Sequence, residues 1–164
     1  MDAPWKCRRG FTTIEVIATL MILGVITAVV VGRLGGTSTY SVQSVAEELK
    51  NHLRFAQTRS MNSNVIWGVY FISTTQYTIY RNGDYTSQSN WVTPPGADAA
   101  TVNLTSRGVT LGVTAGDVVS FDDWGRPCSN APGTLFQAGI RSITVTGGGQ
   151  TTTIQIYQET GYIP

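Results

Sequence analysis

Arg8-Arg9-Gly10-Phe11-Thr12-Thr13-Ile14-Glu15 leads into an apolar run, Val16 to Gly32, that carries no charge. One carboxylate, Glu15, thus stands near the start of an otherwise apolar segment, just after a leader containing Lys6, Arg8 and Arg9. As a helix, Phe11 to Gly32 would rise roughly 33 Å at about 1.5 Å per residue, enough to cross the hydrocarbon core of a bilayer. A charge near the middle of a bilayer costs about 2.5–3.5 kcal/mol on insertion scales. A carboxylate in this position implies a partner charge inside the membrane.

Blander readings of the amino terminus explain less. A secretory signal needs a charge-free apolar region of about 7–15 residues and then a small-residue cleavage site. Here the run is longer, Glu15 interrupts its start, and Val29-Val30-Val31-Gly32-Arg33 offers no such site. Arg8-Arg9 loosely mimics a twin-arginine signal, with the same two objections. A lipoprotein anchor places its cysteine after the apolar run, whereas Cys7 precedes it. A plain single-span anchor stays open but leaves Glu15 unexplained. The basic leader puts the amino terminus on the cytoplasmic side, and residues after about Arg33 on the other.

The remainder, from about Gly35 to Pro164, has the size of one domain. Trp67, Tyr70, Phe71, Tyr77, Tyr80, Phe121 and Phe136 are its bulky core candidates. Charged residues make up 13% of the chain, which suits an exported, β-rich domain better than a cytosolic enzyme. Loss of a leader ending at Gly10 would remove Lys6, Arg8 and Arg9 against Asp2 and leave the rest slightly acidic. Nothing in that balance favours nucleic acid as a partner. The chain has two cysteines, Cys7 and Cys128. If Cys7 leaves with the leader, Cys128 is alone, and the reading preferred for it is a buried, inert thiol over one pairing between chains.

Past Gly32, Gly35 and Gly36, where a bend or frayed turn is expected, Val42, Val45, Ala46, Leu49, Leu53 and Ala56 recur at helical spacing. They predict an amphipathic helix over about 41–60, its apolar stripe facing a sheet. Glu47 and Lys50 form a candidate i,i+3 pair. Strands are expected over 65–72, 76–80, 108–113, 118–121, 140–146 and 151–157. Asn82-Gly83 is a turn signal, 85–100 reads as a loop, 122–127 as a turn, and Gly147-Gly148-Gly149-Gln150 as a hairpin connection.

Chemistry-bearing clusters are few. His52 is the sole histidine, which excludes a triad or a multi-histidine metal site; it reads as a capping or packing residue. Asp117, Asp122 and Asp123 could offer oxygens to calcium, but six to eight ligands are usual and their spacing matches no calcium loop, so a solvated turn is expected. Gly147 to Gly149 lacks the lysine and helix of a phosphate loop. Trp91 with Pro94 and Pro95 forms either a recognition loop or one folded onto the domain. No convincing set of acid, base and nucleophile is present, so the chain is read as a non-enzyme with no cofactor and no metal.

Taken in order, the basic residues, Gly10, Phe11, Glu15 and the apolar run resemble the class III signal of type IV pilins and type II secretion pseudopilins. The resemblance covers residue 8 to about 33, and Thr13 stands where leucine is more usual. It implies that prepilin peptidase cuts between Gly10 and Phe11, that Phe11 becomes N-methylated, and that Glu15 serves assembly. The implied organisation is a leader over 1–10, a transmembrane helix over 11–33 and a periplasmic domain over 34–164. The implied fold class is α+β: a long N-terminal helix, half transmembrane and half amphipathic, packed on an antiparallel sheet.

Two weaker features resemble the H-type minor pseudopilins and their pilus counterparts: the segment Leu49 to Ser60, and the Phe121-x-x-x-Gly125 element ahead of a hairpin ending in Thr160-Gly161. Some pilus members bind DNA through basic residues after that last glycine; Tyr162, Ile163 and Pro164 follow it here, which argues against DNA. The function implied is a minor pseudopilin or minor pilin of a type II secretion pseudopilus or type IV pilus. Its implied partners are other pilins, prepilin peptidase and the assembly platform of the bacterial inner membrane. The alternatives are a pilus subunit for adhesion or DNA uptake, and an anchored module for sugar or peptide that keeps its leader and does not need Glu15.

Overall fold

The computed structural model describes residues 12–34 and 37–164, without the side chains of 30–41. The chain divides into two compact units, Met1–Thr37 and Ser38–Pro164. In the first, helix α1 spans Thr13–Leu34. Thr12 caps it: the Glu15 amide meets the Thr12 hydroxyl at 3.4 Å and its carbonyl at 3.1 Å. Consecutive residues Leu20, Met21, Ile22 and Leu23 are all exposed, so the helix is apolar all round and has no polar face to turn to water. Among the described residues no helix is long and apolar enough to cross a membrane; the stretch expected to span one, Phe11 to Gly32, runs past the described side chains at both ends. The bend expected at Gly35-Gly36 lies outside the described residues.

The second unit begins one residue into α2, Thr37–Ser63, which is longer at both ends than the apolar stripe predicted. The stripe itself is buried from Val42 to Ala56. Strands β1 (Trp67–Ser73), β2 (Gln76–Tyr80), β3 (Trp91–Val92), β4 (Thr101–Asn103), β6 (Val118–Phe121) and β7 (Pro127–Cys128) form one antiparallel sheet in the order β3-β2-β1-β6-β7, with β4 also on β2. Strands β5 (Val109–Leu111), β8 (Arg141–Gly147) and β9 (Gln150–Ile156) form a second, ordered β5-β8-β9. The β1–β2 turn links the two, since the Leu111 amide donates to the Thr74 carbonyl at 2.7 Å. Both sheets send apolar side chains to one core under α2, among them Phe71, Tyr77, Ile79, Phe121, Ile143, Val145, Ile154 and Ile156.

Four expectations need correcting. Phe136 is 54% exposed; it lies under the Arg126 guanidinium, 4.3 Å from the ring centroid, where a cation over the ring face compensates for lost burial. Trp67 and Tyr70 are half-buried, Trp67 packing edge-on to Phe55 and Tyr70 stacking on Tyr85 at 4.1 Å. The 85–100 stretch contains β3, and Trp91 is fastened there, its indole N–H donating to the Tyr85 carbonyl at 2.8 Å. Asp122 is not solvated but 8% exposed, for reasons given below.

Candidate assembly site

Of the residues singled out for processing and assembly, Gly10 and Phe11 lie outside the described residues. Glu15 is described, exposed and in the first turn of α1. With Thr12 as cap, the Thr-x-x-Glu spacing is that of a capping box. A carboxylate at a helix start gains about 0.3–1 kcal/mol from the helix dipole. That is well below the roughly 2.5–3.5 kcal/mol that a charge costs near the bilayer centre, so capping alone would not account for a carboxylate in the span that the sequence predicts. Glu15 takes part in none of the salt bridges among the described residues.

In the globular unit, the two segments that carry the narrower resemblance come together. The Phe121–Gly125 turn and the Thr160-Gly161 tail meet on one side chain of α2. Gln57 Nε2 donates to the carbonyls of Gly125 at 2.8 Å, Gly161 at 3.1 Å and Thr160 at 3.3 Å. Gly161 has φ +62°, and a Cβ there would fall 2.1 Å from the Gly125 carbonyl oxygen. Only glycine permits that approach. One turn earlier on the same helix, Arg54 donates to the Ile163 carbonyl at 2.8 Å, and the Ile163 side chain is 3% exposed. The 122–127 turn is closed by Asp122. Its Oδ1 accepts the amides of Trp124 at 3.0 Å and Arg126 at 2.8 Å, and its Oδ2 pairs with the Arg126 guanidinium at 2.7 Å. The turn leaves Trp124 78% exposed.

Asp117 is occupied as well, pairing with Arg141 and accepting the Val118 amide. Asp117, Asp122 and Asp123 therefore do not converge, and among the described residues no three His, Cys, Asp or Glu side chains are placed to hold a metal.

His52 is 2% exposed. Its Nε2 is 3.1 Å from the Pro95 carbonyl, which can only accept, so Nε2 carries the proton. Nδ1 then accepts from the Tyr77 hydroxyl at 2.9 Å. Burial first, and the charge of Glu48 second, push the Tyr77 phenol well above its ordinary range, so it remains a donor. The histidine thus staples the 85–100 loop to α2. Sequence spacing identifies His52 as a packing residue but holds no signal for its partners, which lie 25 and 43 positions away. Gln57 escapes sequence reasoning altogether, because a glutamine flanking an apolar stripe looks like any solvated helix residue.

No family model and no curated protein matches the sequence. Solved structures do resemble the fold. It is similar to the type IV minor pilin FimU of Pseudomonas aeruginosa at 16% identity, with a TM-score of 0.51 over 78% of this chain and 90% of that one. It is similar also to the minor pseudopilin EpsH from the type 2 secretion system of Vibrio cholerae, at 15% identity and a TM-score of 0.50 over 76% of this chain and 94% of that one. Identities this low speak to architecture alone: the chain has the α+β pilin fold, a helix packed on antiparallel sheet, that these two subunits share.

Proposed function

We propose that this chain is a minor pilin or minor pseudopilin, a structural subunit that joins a filament of the type IV pilus or type II secretion kind and performs no catalysis. One observation carries the reading: a pilin-like domain and the Arg8-to-Glu15 signal occur in the same chain, in the order that such a subunit needs. Prepilin peptidase cuts after Gly10 and methylates Phe11. The mature subunit waits in the inner membrane through its apolar helix, with its domain in the periplasm, until the assembly platform passes it into the filament.

Glu15 then acts by charge. In a bundle of α1 helices its carboxylate is desolvated, and an unpaired buried charge is strongly destabilising. The amino group of Phe11 in a neighbouring subunit is the nearest cation that the sequence offers at that depth. Their pairing offsets the burial and sets the axial register between subunits. Tyr162 and Ile163 follow Gly161 where a basic residue would serve DNA, and Ile163 is tucked into the core, which favours this structural role over DNA uptake.

The intact mass and amino-terminal sequence of the protein, purified from its own membranes, test the reading. A chain starting at N-methylated Phe11 is expected. A chain starting at Met1 would refute processing and promote the plain anchored module.

A further inference from the structure

Natural sheets guard their edges with short strands, proline or charge, because an open edge is a template for another strand. Three edges of this domain follow that rule. β3 and β7 have two residues each and β7 begins with Pro127, while β4 has three. At the fourth, β5, a short strand of three residues is tied to the β1–β2 turn. β9 is the exception. It has seven residues, Gln-Thr-Thr-Thr-Ile-Gln-Ile, with no charge and no proline, and it pairs only with β8.

The hairpin fixes which backbone groups are open. Gly148 and Gly149 have φ of +54° and +77°, as in a two-residue type I′ turn, and Gly147 faces Gln150. The pair closing such a turn is the hydrogen-bonded one, and bonding then alternates along the ladder. Gln150, Thr152, Ile154 and Ile156 therefore bond to β8, while the N–H and C=O groups of Thr151, Thr153 and Gln155 point out of the sheet. The solvent-facing side chains around them are Thr151, Thr153 and Gln155 of β9, with Ser142 and Thr146 of the adjacent strand. None is charged.

We propose that the outer edge of β9 pairs with β9 of a second copy, antiparallel, with Thr153 facing Thr153 across a two-fold axis. In that register Thr151 faces Gln155 of the second copy and Gln155 faces its Thr151. All the outward groups on both strands are then used, in about six hydrogen bonds. The strand is its own best complement, since no other edge among the described residues is long enough to match it. The two-fold sets Thr153 beside its like and Thr151 beside Gln155, and a charge near the centre would oppose it; Thr153 and its neighbours carry none. Such a pair closes on itself and cannot propagate. It belongs to subunits outside a filament, and its failure would leave the assembly reading untouched.

Single cysteines in the full chain test the register, in detergent, under oxidised glutathione and in a Cys7→Ser background; Cys128 is buried and does not compete. Facing residues of a bonded pair have Cα atoms about 5.5 Å apart, within disulfide reach, whereas two copies of residue 151 would lie roughly 14 Å apart, beyond it. Thr153→Cys is expected to give a linked dimer at least about tenfold above Thr110→Cys, an exposed control on β5, because pairing raises the local thiol concentration. Thr151→Cys is expected to link to Gln155→Cys and not to itself. Thr153→Pro removes an N–H that faces outward, so the β8 ladder and the melting temperature survive while the 151–155 link is lost. Equal linking at 110 and 153, self-linking at 151, or a 151–155 link that persists when Thr153→Pro is added would each overturn the pairing.

Discussion

Replacing Gly161 by alanine tests the meeting of the tail with α2. The residue has φ +62°, and its new Cβ would stand 2.1 Å from the Gly125 carbonyl oxygen and 2.4 Å from Gln57 Nε2. Neither neighbour can yield freely: the first is backbone, and the second carries the hydrogen bonds that hold both segments. The left-handed conformation costs an alanine about 1–2 kcal/mol. Relieving the clash pulls the tail off Gln57 and loses about two hydrogen bonds, each worth about 1 kcal/mol net. The sum is about 3–4 kcal/mol, before any loss of Ile163 burial. For a domain of this size that corresponds to a fall of roughly 10 °C in melting temperature. Gly149→Ala is the control. Its φ is +77° but nothing lies within 4 Å of its Cβ, so only the conformational cost applies, about 1–2 kcal/mol. Thermal unfolding followed by circular dichroism separates the two. If Gly161→Ala melts with or above Gly149→Ala, the contact argument is wrong.

Three further outcomes are expected. His52→Phe strands the Tyr77 hydroxyl in the core and releases the Pro95 carbonyl, so urea titration should show a loss of about 1–3 kcal/mol, with protease cutting first within 85–100; an unchanged midpoint would refute the staple. Burial first, then the nearby Asp122 charge, raises the Cys128 thiol to about 11. Ionisation above the ordinary value of 9.0 thus favours the unfolded chain, and Cys128 should contribute stability in full below pH 9 that is lost as pH rises toward 11. Cys128→Ala should make that part of the stability profile less steep, the raised Tyr77 phenol still acting above pH 10, and in a Cys7→Ser chain a thiol reagent at pH 8 should react only on unfolding. Glu15→Val should insert into membranes normally yet be depleted from sheared filaments by immunoblot; incorporation at wild-type levels would remove the register role.

The parts of the fold legible in the sequence are those where one physical signal repeats. Val42 to Ala56 recurs at helical spacing because a single face is buried. The β8–β9 hairpin alternates because one side of its sheet is wet, and Gly148-Gly149 supplies the positive φ that its turn requires. β3, β4 and β7 are illegible: two or three residues cannot show a period. Glu15 stands out because one carboxylate in an apolar run is expensive. Gln57 does not, because its role exists only once Gly125 and Gly161, far apart in sequence, have arrived at the same helix face. Phe136 misleads because hydrophobicity alone cannot tell a core ring from one shielded by an arginine.

The His52 staple has a consequence for how the surface can change. The loop is fastened at Pro95 by His52 and at Ala100 by the Thr78 hydroxyl, at 2.8 Å. Between these anchors Gly96 faces open space, and only Ala97 touches the core. Lengthening a loop whose ends are already held costs little, about 0.6 kcal/mol per doubling. The Asp98-Ala99 bracket is therefore a graft point: an epitope or a fluorescent reporter set there would ride on the domain while α2 and both sheets kept their packing, and lineages could diversify this rim without renegotiating the interior.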